Sequence, residues 1–313
     1  MPYNRKPIPE SILIFGAGAR LGGPLAAFLA REAPLVRLRL ATHSAGKADA
    51  LRERFPSAEV VVADYLDVSS MRRALDGMSG AFVVTPSGTD ERPAMTNLVE
   101  AAKSSSLVHL LRVVGIQPEA NAHRIPQSLR DHGLGLPIQH PIAKRILDDS
   151  GLPVTYLNCG ATFMDNFLAP PTVEALRRSR TLIWPERLIP FIDPRDVGEA
   201  AARLLLSDNH RHIGQLHTLN NGQDILRFED VAKLMSEVWN EPIRHDSSKE
   251  AFFATYSQMG PRRQYLWDFF QYEQDNEVVW ARNDFVERML GRKPTTLRGW
   301  LIEHRDAILG APS

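Results

Sequence analysis

The chain has 313 residues, 43% of them apolar and 24% charged, and its 37 Lys plus Arg are balanced by 37 Asp plus Glu. That balance supplies no net field to draw it to nucleic acid or an anionic membrane, and no apolar run approaches the ~20 residues of a membrane span. A single cysteine, Cys159, excludes an internal disulfide and a multi-cysteine metal centre.

The opening residues, MPYNRKPIPES, lack an apolar secretory core, so residues 1–10 are expected to be a flexible leader and the location cytoplasmic. Ser11–Phe28 (SILIFGAGARLGGPLAAF) then reads as strand, glycine turn and helix in succession. Such a turn leaves backbone N–H groups aimed at one spot, backed by the helix dipole, and holds a phosphate or pyrophosphate. The spacing, Gly16-x-Gly18-x-x-x-Gly22, departs from the usual glycine fingerprint. A turn needing small residues for packing alone is the other reading.

Beyond it, strands and helices alternate. Leu35–Ala41 is a strand and Ala45–Phe55 a helix. Glu59–Ala63 is a strand, followed by Asp67 as the cap of a helix over Val68–Leu75. Strand Ala81–Thr85, helix Arg92–Ser104 and strand Leu107–Val114 continue the series. The turn-rich stretch Pro118–Pro137 is expected to be a mobile active-site loop. Helix His140–Asp149, strand Pro153–Asn158 and strand Ile189–Asp193 come next, then helix Val197–Leu206 capped by Asp196. A late strand over Leu216–Asn220 and a helix over Phe228–Trp239 precede a helical last third, whose aromatics suit core and lid packing. Repeated βα units predict an α/β fold with a doubly wound parallel sheet and ligands at the carboxyl ends of its strands.

Taken in order, ILIFGAGARLGG, VVVADYLDVSSMRRALDGMSGAFVVTP, NLVEAAKSSSLVHLLRV, HPIAKRILDDSGLPVTYLNCGATFMDNF and IPFIDPRDVGEAAARLLL resemble the NmrA-like family of atypical short-chain dehydrogenase/reductases. The resemblance implies a Rossmann domain over 11–158 plus about 189–220. A smaller, mostly helical C-terminal lobe over about 159–188 and 221–313 would cover the nicotinamide end of a bound dinucleotide. The family holds both reductases and dinucleotide sensors without turnover.

NADP(H) is expected before NAD(H). Strand two ends Ala41-Thr42-His43-Ser44, with no carboxylate between Glu32 and Asp49 to accept from a ribose 2′-OH. Arg20 and Lys47 can neutralise a 2′-phosphate and Thr42 or Ser44 can hydrogen-bond it, unless those cations are only surface charges. Gly16, Gly18, Ala19, Leu21 and Gly22 form the phosphate turn. Asp64 matches the family's acidic position that accepts from the adenine amino group, with Tyr65 beside the ring. Thr85-Pro86-Ser87 would pass under the central ribose and pyrophosphate.

The chemistry departs from the usual short-chain reductase. The serine place reads Val113-Val114-Gly115, and the Tyr-x-x-x-Lys slot reads His140-Pro141-Ile142-Ala143-Lys144. His140 and Lys144 share a helix face. Lys144 is expected on the nicotinamide ribose and His140 near the acceptor as a proton source, the alternative for His140 being a cap or surface residue. His123 and His132 are expected in solvent, Cys159 as a small buried hydrophobe, and no metal site. Phe163, Met164, Phe167 and Trp184 are candidates for an apolar substrate pocket, or for burial between lobes. The expected activity is an NADPH-dependent reductase for a small apolar or aromatic acceptor, quinone-, azo- or enone-like. The alternative is a non-catalytic NAD(P) sensor acting through a protein partner; a homodimer is left open, and neither nucleic acid nor membrane is an expected partner.

Overall fold

The first apolar run forms β1, Ser11–Phe15, whose five residues are all buried, as a strand covered on both faces requires. In this computed structural model, residues 4–116, 124–133, 135–277 and 280–310 are described. The next elements are α1 (Gly22–Glu32), β2 (Arg37–Thr42), α2 (Ala45–Arg54), β3 (Glu59–Val62), α3 (Val68–Leu75), β4 (Gly80–Val83), α4 (Glu91–Ala102) and β5 (His109–Val114). Then come α5 (Gln127–Asp131), α6 (Leu136–Asp148), β6 (Val154–Asn158), β7 (Thr162–Phe163), α7 (Pro170–Ser179), β8 (Thr181–Ile183) and β9 (Leu188–Ile192). The chain continues through α8 (Pro194–Leu205), β10 (Leu216–Thr218), β11 (Ile225–Arg227), α9 (Phe228–Trp239) and β12 (Arg244–Asp246). Helices α10 (Lys249–Thr255), α11 (Arg262–Asp275), α12 (Phe285–Leu290), α13 (Leu297–Glu303) and α14 (Arg305–Leu309) complete it.

The main sheet has seven strands in the order β10-β6-β5-β4-β1-β2-β3, and every neighbouring pair runs parallel. Its switch point lies between β1 and β4, so the crevice opens above their carboxyl ends. Alternate residues of β1 feed opposite faces. Ile12 and Ile14 join Leu25 of α1 and Leu204 of α8, whereas Leu13 and Phe15 join Met71 of α3, Leu98 of α4 and Leu147 of α6. The expected doubly wound sheet is present.

A third core belongs to the smaller lobe, around Phe167, Phe191, Phe228 and Trp300. Two small sheets, β11-β9-β7 and β12-β8, sit within its helices. Here the expected boundaries shift. β9, anticipated in the main sheet, pairs with β7 and β11 instead. The edge beside β6 is taken by β10, and a short run such as IPFID says nothing about which sheet receives it. The second stretch of the large domain is therefore α8 and β10.

Residues 4–10 are not a loose leader. The Lys6 N–H donates to the Asp208 carbonyl at 2.8 Å, the His210 N–H donates to the Asn4 carbonyl at 3.2 Å, and Lys6 is 6% exposed. The segment is pinned along the turn that follows α8. Asp193, not Asp196, caps α8: its carboxylate accepts from the Arg195 N–H at 2.8 Å, while Asp196 accepts from the Thr295 N–H. Asp67 caps α3 as its position predicts. Of the expected loop over Pro118–Pro137, residues 117–123 and 134 lie outside the described residues, and the rest contains α5 and the start of α6. Among the described residues no helix is long and apolar enough to cross a membrane, and no group of three His, Cys, Asp or Glu is placed to hold a metal.

Candidate active site

The glycine turn is built for close approach. Gly16 leaves β1 at φ +66°, a region glycine enters freely. A Cβ on Gly22 would stand 2.4 Å from the Gly16 carbonyl oxygen, so α1 can begin where it does only with glycine there. Leu21 at the N-cap makes no side-chain cap bond, and the first turn of α1 carries no acid. Its N–H groups and positive dipole end are left for an anion. These features fit a dinucleotide pyrophosphate.

At the end of β2 the Ser44 N–H donates to Thr42 Oγ1 at 3.3 Å. Ser44 precedes α2 without a side-chain cap bond, and Lys47 is exposed with no side-chain partner among the described residues. Arg20 is elsewhere. Its Nε lies 2.9 Å from Asp165 Oδ2, its Nη1 donates to Asn166 Oδ1 at 2.7 Å, and its guanidinium covers the Phe163 ring. The lobe's carboxylate takes it away from the β2–α2 turn, contrary to the expected 2′-phosphate contact. Asp64 is exposed, with Oδ1 accepting from the Leu66 N–H at 2.9 Å. Tyr65 does not stand beside it. The turn after β3 sends the ring inward, where it stacks on Phe15 at 4.8 Å and donates to the Val84 carbonyl.

Above β4 and β5 lies a cavity of roughly 170 Å³ with Leu21, Thr85, Pro86, Gly115, Gln139 and His140 on its wall. The Gly115 N–H donates to His140 Nδ1 at 2.6 Å, so the ring's proton sits on Nε2. Burial, with the Arg112 cation as a second cause, pushes the imidazole down to about 3. His140 is thus neutral across ordinary pH, and the expected proton source near neutrality is corrected to a neutral N–H donor. Beneath it is a closed polar knot. Arg112 Nη2 lies 2.6 Å from Glu91 Oε1, and both side chains are essentially inaccessible. Thr85 Oγ1 donates to the same carboxylate oxygen and accepts from Arg112 Nη2 at 3.0 Å. The Glu91 N–H donates to Gln139 Oε1 at 2.9 Å. His140 Nε2 stands 3.9 Å from Glu91 Oε1.

Lys144 does not join this group. It is one turn beyond His140, but its Nζ pairs with Asp148 at 2.6 Å and rests over the Tyr156 ring. The acid a turn further along the same helix captures it, and it lines neither cavity.

The second cavity, roughly 870 Å³, extends into the smaller lobe and shares Gly115, Leu136, Cys159 and Phe163 with the first. Phe163 and Trp184 stand on its wall, with Tyr256, Phe269 and Phe270 from the last third. Met164 and Phe167 do not. Both are wholly buried in the lobe core, where Phe167 packs against Phe191, Phe228 and Trp300. Cys159 lines both cavities with its thiol pushed up to about 12 by burial, a hydrophobe and not a nucleophile. His132 is half-buried, edge-on to Tyr265 and 3.4 Å from Asp268, and not free in solvent; His123 lies outside the described residues.

Sequence reasoning missed Glu91, Arg112 and Gln139, and also the buried pair Arg187–Glu273 on the large cavity's wall. One signal was present. An arginine inside the apolar strand HLLRVV must find a buried anion.

The sequence profile of the NmrA-like family matches residues 9–301. The chain belongs to the NmrA-like family. This NmrA-like chain is 26% identical over 309 residues, 95% of its length and 99% of the relative's, to the (4-alkanoyl-5-oxo-2,5-dihydrofuran-3-yl)methyl phosphate reductase of Streptomyces griseus. It is 26% identical over 237 residues to the NAD(P)H azoreductase of Xenophilus azovorans, covering 75% of this chain and 76% of that one. Among solved folds, it superposes with a TM-score of 0.77 on the triphenylmethane reductase of a Citrobacter species complexed with NADP(H), at 19% identity, covering 94% and 99% of the two chains.

Proposed function

We propose that this NmrA-like protein is an NADP(H)-dependent reductase for a small apolar or aromatic acceptor of the quinone, azo or enone kind. The observation that carries the reading is the junction of the two cavities. A narrow space at the strand ends, bounded by the glycine-turn residue Leu21, by Thr85 and by His140, adjoins a large apolar one. A ligand in the large cavity would face whatever the narrow one holds. Two reductases at 26% identity and a fold neighbour complexed with NADP(H) support the same reading.

The residues fit the dinucleotide. The open first turn of α1 after Gly16-x-Gly18 would hold the pyrophosphate, Thr85 and Pro86 would lie along the ribose, and Asp64 would accept from the adenine. Thr42, Ser44 and Lys47 would take the 2′-phosphate, in a stretch with no carboxylate between Glu32 and Asp49 to repel it. When bound, the nicotinamide supplies hydride chemistry. The protein's part is to bind, orient and polarise. Neutral His140 offers its Nε2–H to an oxygen or nitrogen that gains charge, a donor fixed in place by the Gly115 N–H. The completing proton comes from solvent.

The missing serine and tyrosine and the diversion of Lys144 favour a second reading, a dinucleotide sensor that acts on a protein partner. NADPH consumption with a panel of quinones, azo dyes and enones separates them. Turnover with one class supports the reductase. Tight NADPH binding with no turnover on any acceptor overturns it.

A further inference from the structure

The far wall of the large cavity carries an ion pair in an apolar setting. Arg187 is 2% exposed and rests against Phe270 at 4.1 Å and Phe228 at 4.9 Å. Its Nε donates to Glu273 Oε2 at 2.6 Å, but its other contacts, Nη1 to the Pro185 carbonyl and Nη2 to Thr162 Oγ1, are stretched to 3.4 and 3.5 Å. A guanidinium has five N–H groups, and here one is well used. A buried pair of this kind is about as stable as an apolar replacement, so stability alone does not account for it.

The same cavity has further unused donors. Trp184 Nε1, Trp280 Nε1 and Tyr272 Oη are buried without a hydrogen-bond partner, and all three residues line the cavity, as do Arg187 and Glu273. The surplus is of donors. The acceptors at this site, Glu273 Oε2, the Pro185 carbonyl and Thr162 Oγ1, already face Arg187. A ligand that completes this wall brings oxygen acceptors.

Its charge follows from Glu273. Arg187 and Glu273 are together neutral, so a full negative charge set against Arg187 would also meet the buried Glu273 carboxylate, whereas a carbonyl oxygen carries no such repulsion. Arg187 lines the large cavity only, and His140 the small one only. The geometry points to a carbonyl-binding subsite at Arg187, so that the acceptor carries one oxygen at the His140 end and a second, neutral carbonyl at the lobe end. This rests on the reductase reading for the first oxygen alone; the subsite itself is a binding property.

The test is therefore binding, read as quenching of Trp184 and Trp280 fluorescence in protein saturated with NADP⁺, where no turnover occurs. The probes are para-naphthoquinone, its mono-carbonyl relative tetralone, and naphthoate. The wild type is expected to bind the quinone about ten- to a hundredfold more tightly than tetralone, the worth of one hydrogen bond to a charged group, and naphthoate least. Arg187→Met/Glu273→Leu removes both charges together and should erase the quinone preference while leaving tetralone unchanged. Glu273→Gln keeps Arg187 and should raise naphthoate affinity about tenfold. Equal wild-type affinity for quinone and tetralone, or naphthoate bound most tightly by the wild type, overturns the subsite. Discrimination in binding without any NADPH consumption would instead overturn the reductase reading and leave the subsite standing.

Discussion

Arg112→Met tests the floor of the site directly. It leaves the Glu91 carboxylate, 1% exposed and 2.6 Å from the lost cation, with a buried charge and no counter-ion. Breaking such a pair from one side costs about 3–5 kcal/mol. At ~2.1 cal/mol/K per residue, the unfolding entropy of a chain this long is about 0.66 kcal/mol/K, so the melting temperature should fall by roughly 5–8 °C. Arg112→Met/Glu91→Leu removes both charges and should recover most of that loss, a coupling of about 2 kcal/mol or more. The assay is thermal and urea unfolding of the wild type, both single variants and the double variant. The same substitution lifts the cation's repulsion from His140, so the imidazole should titrate at higher pH in NMR. A melting shift under about 1.5 °C, or a double variant that loses the sum of its singles, would refute the idea that the pair acts as one closed unit.

Three further outcomes are expected. His140→Ala should lower kcat about ten- to a hundredfold while leaving NADPH affinity within about twofold, and the wild-type rate should show no inflection from His140 between pH 5.5 and 8, since burial holds that ring at about 3. Lys144→Ala should leave NADPH affinity and rate within about twofold, because a helix-surface pair such as Lys144–Asp148 is worth only about 0.3–0.5 kcal/mol and lies off the cavities; a large loss in NADPH titrations would restore the ribose role. Acid should destabilise the fold early. Burial holds His109 and His140 at about 3, below the 6.5 of a free histidine, so the unfolded chain takes up protons first as pH falls. Their contribution is intact above pH 6.5 and drains at about 1.4 kcal/mol per pH unit each on the way down toward pH 3. Melting temperatures that stay flat from pH 7 to 4.5 would contradict it.

The large domain was legible because its signals are local. ILIF before a glycine turn, then VVV, AFVV and LLRVV between amphipathic stretches, specify parallel strands with little help from tertiary context. The glycine turn followed for the same reason. Side-chain destinations were less legible. Whether Arg20 faces a phosphate or Asp165, and whether Lys144 faces a ribose or Asp148, depends on partners 145 and 4 residues away, and a one-dimensional pattern does not rank them. Met164 and Phe167 bracket Asp165 and Asn166, and only the bend of the 3-10 turn Met164–Leu168 decides that they enter the lobe core. The Arg187–Glu273 pair joins residues 86 positions apart and has no sequence signature.

The placement of β9 outside the main sheet has a topological consequence. The chain enters the lobe at β7, returns for α8 and β10, re-enters at β11, and goes back once more so that Phe285, Val286 and Leu290 of α12 join the first core before α13 closes the lobe. The lobe is thus not a cassette at one end of the gene. A chimera that exchanges acceptor preference with a relative must transplant three separate segments together. A truncation anywhere between β6 and α12 would strip a piece from both bodies at once, so neither can be shortened there without opening the core of the other.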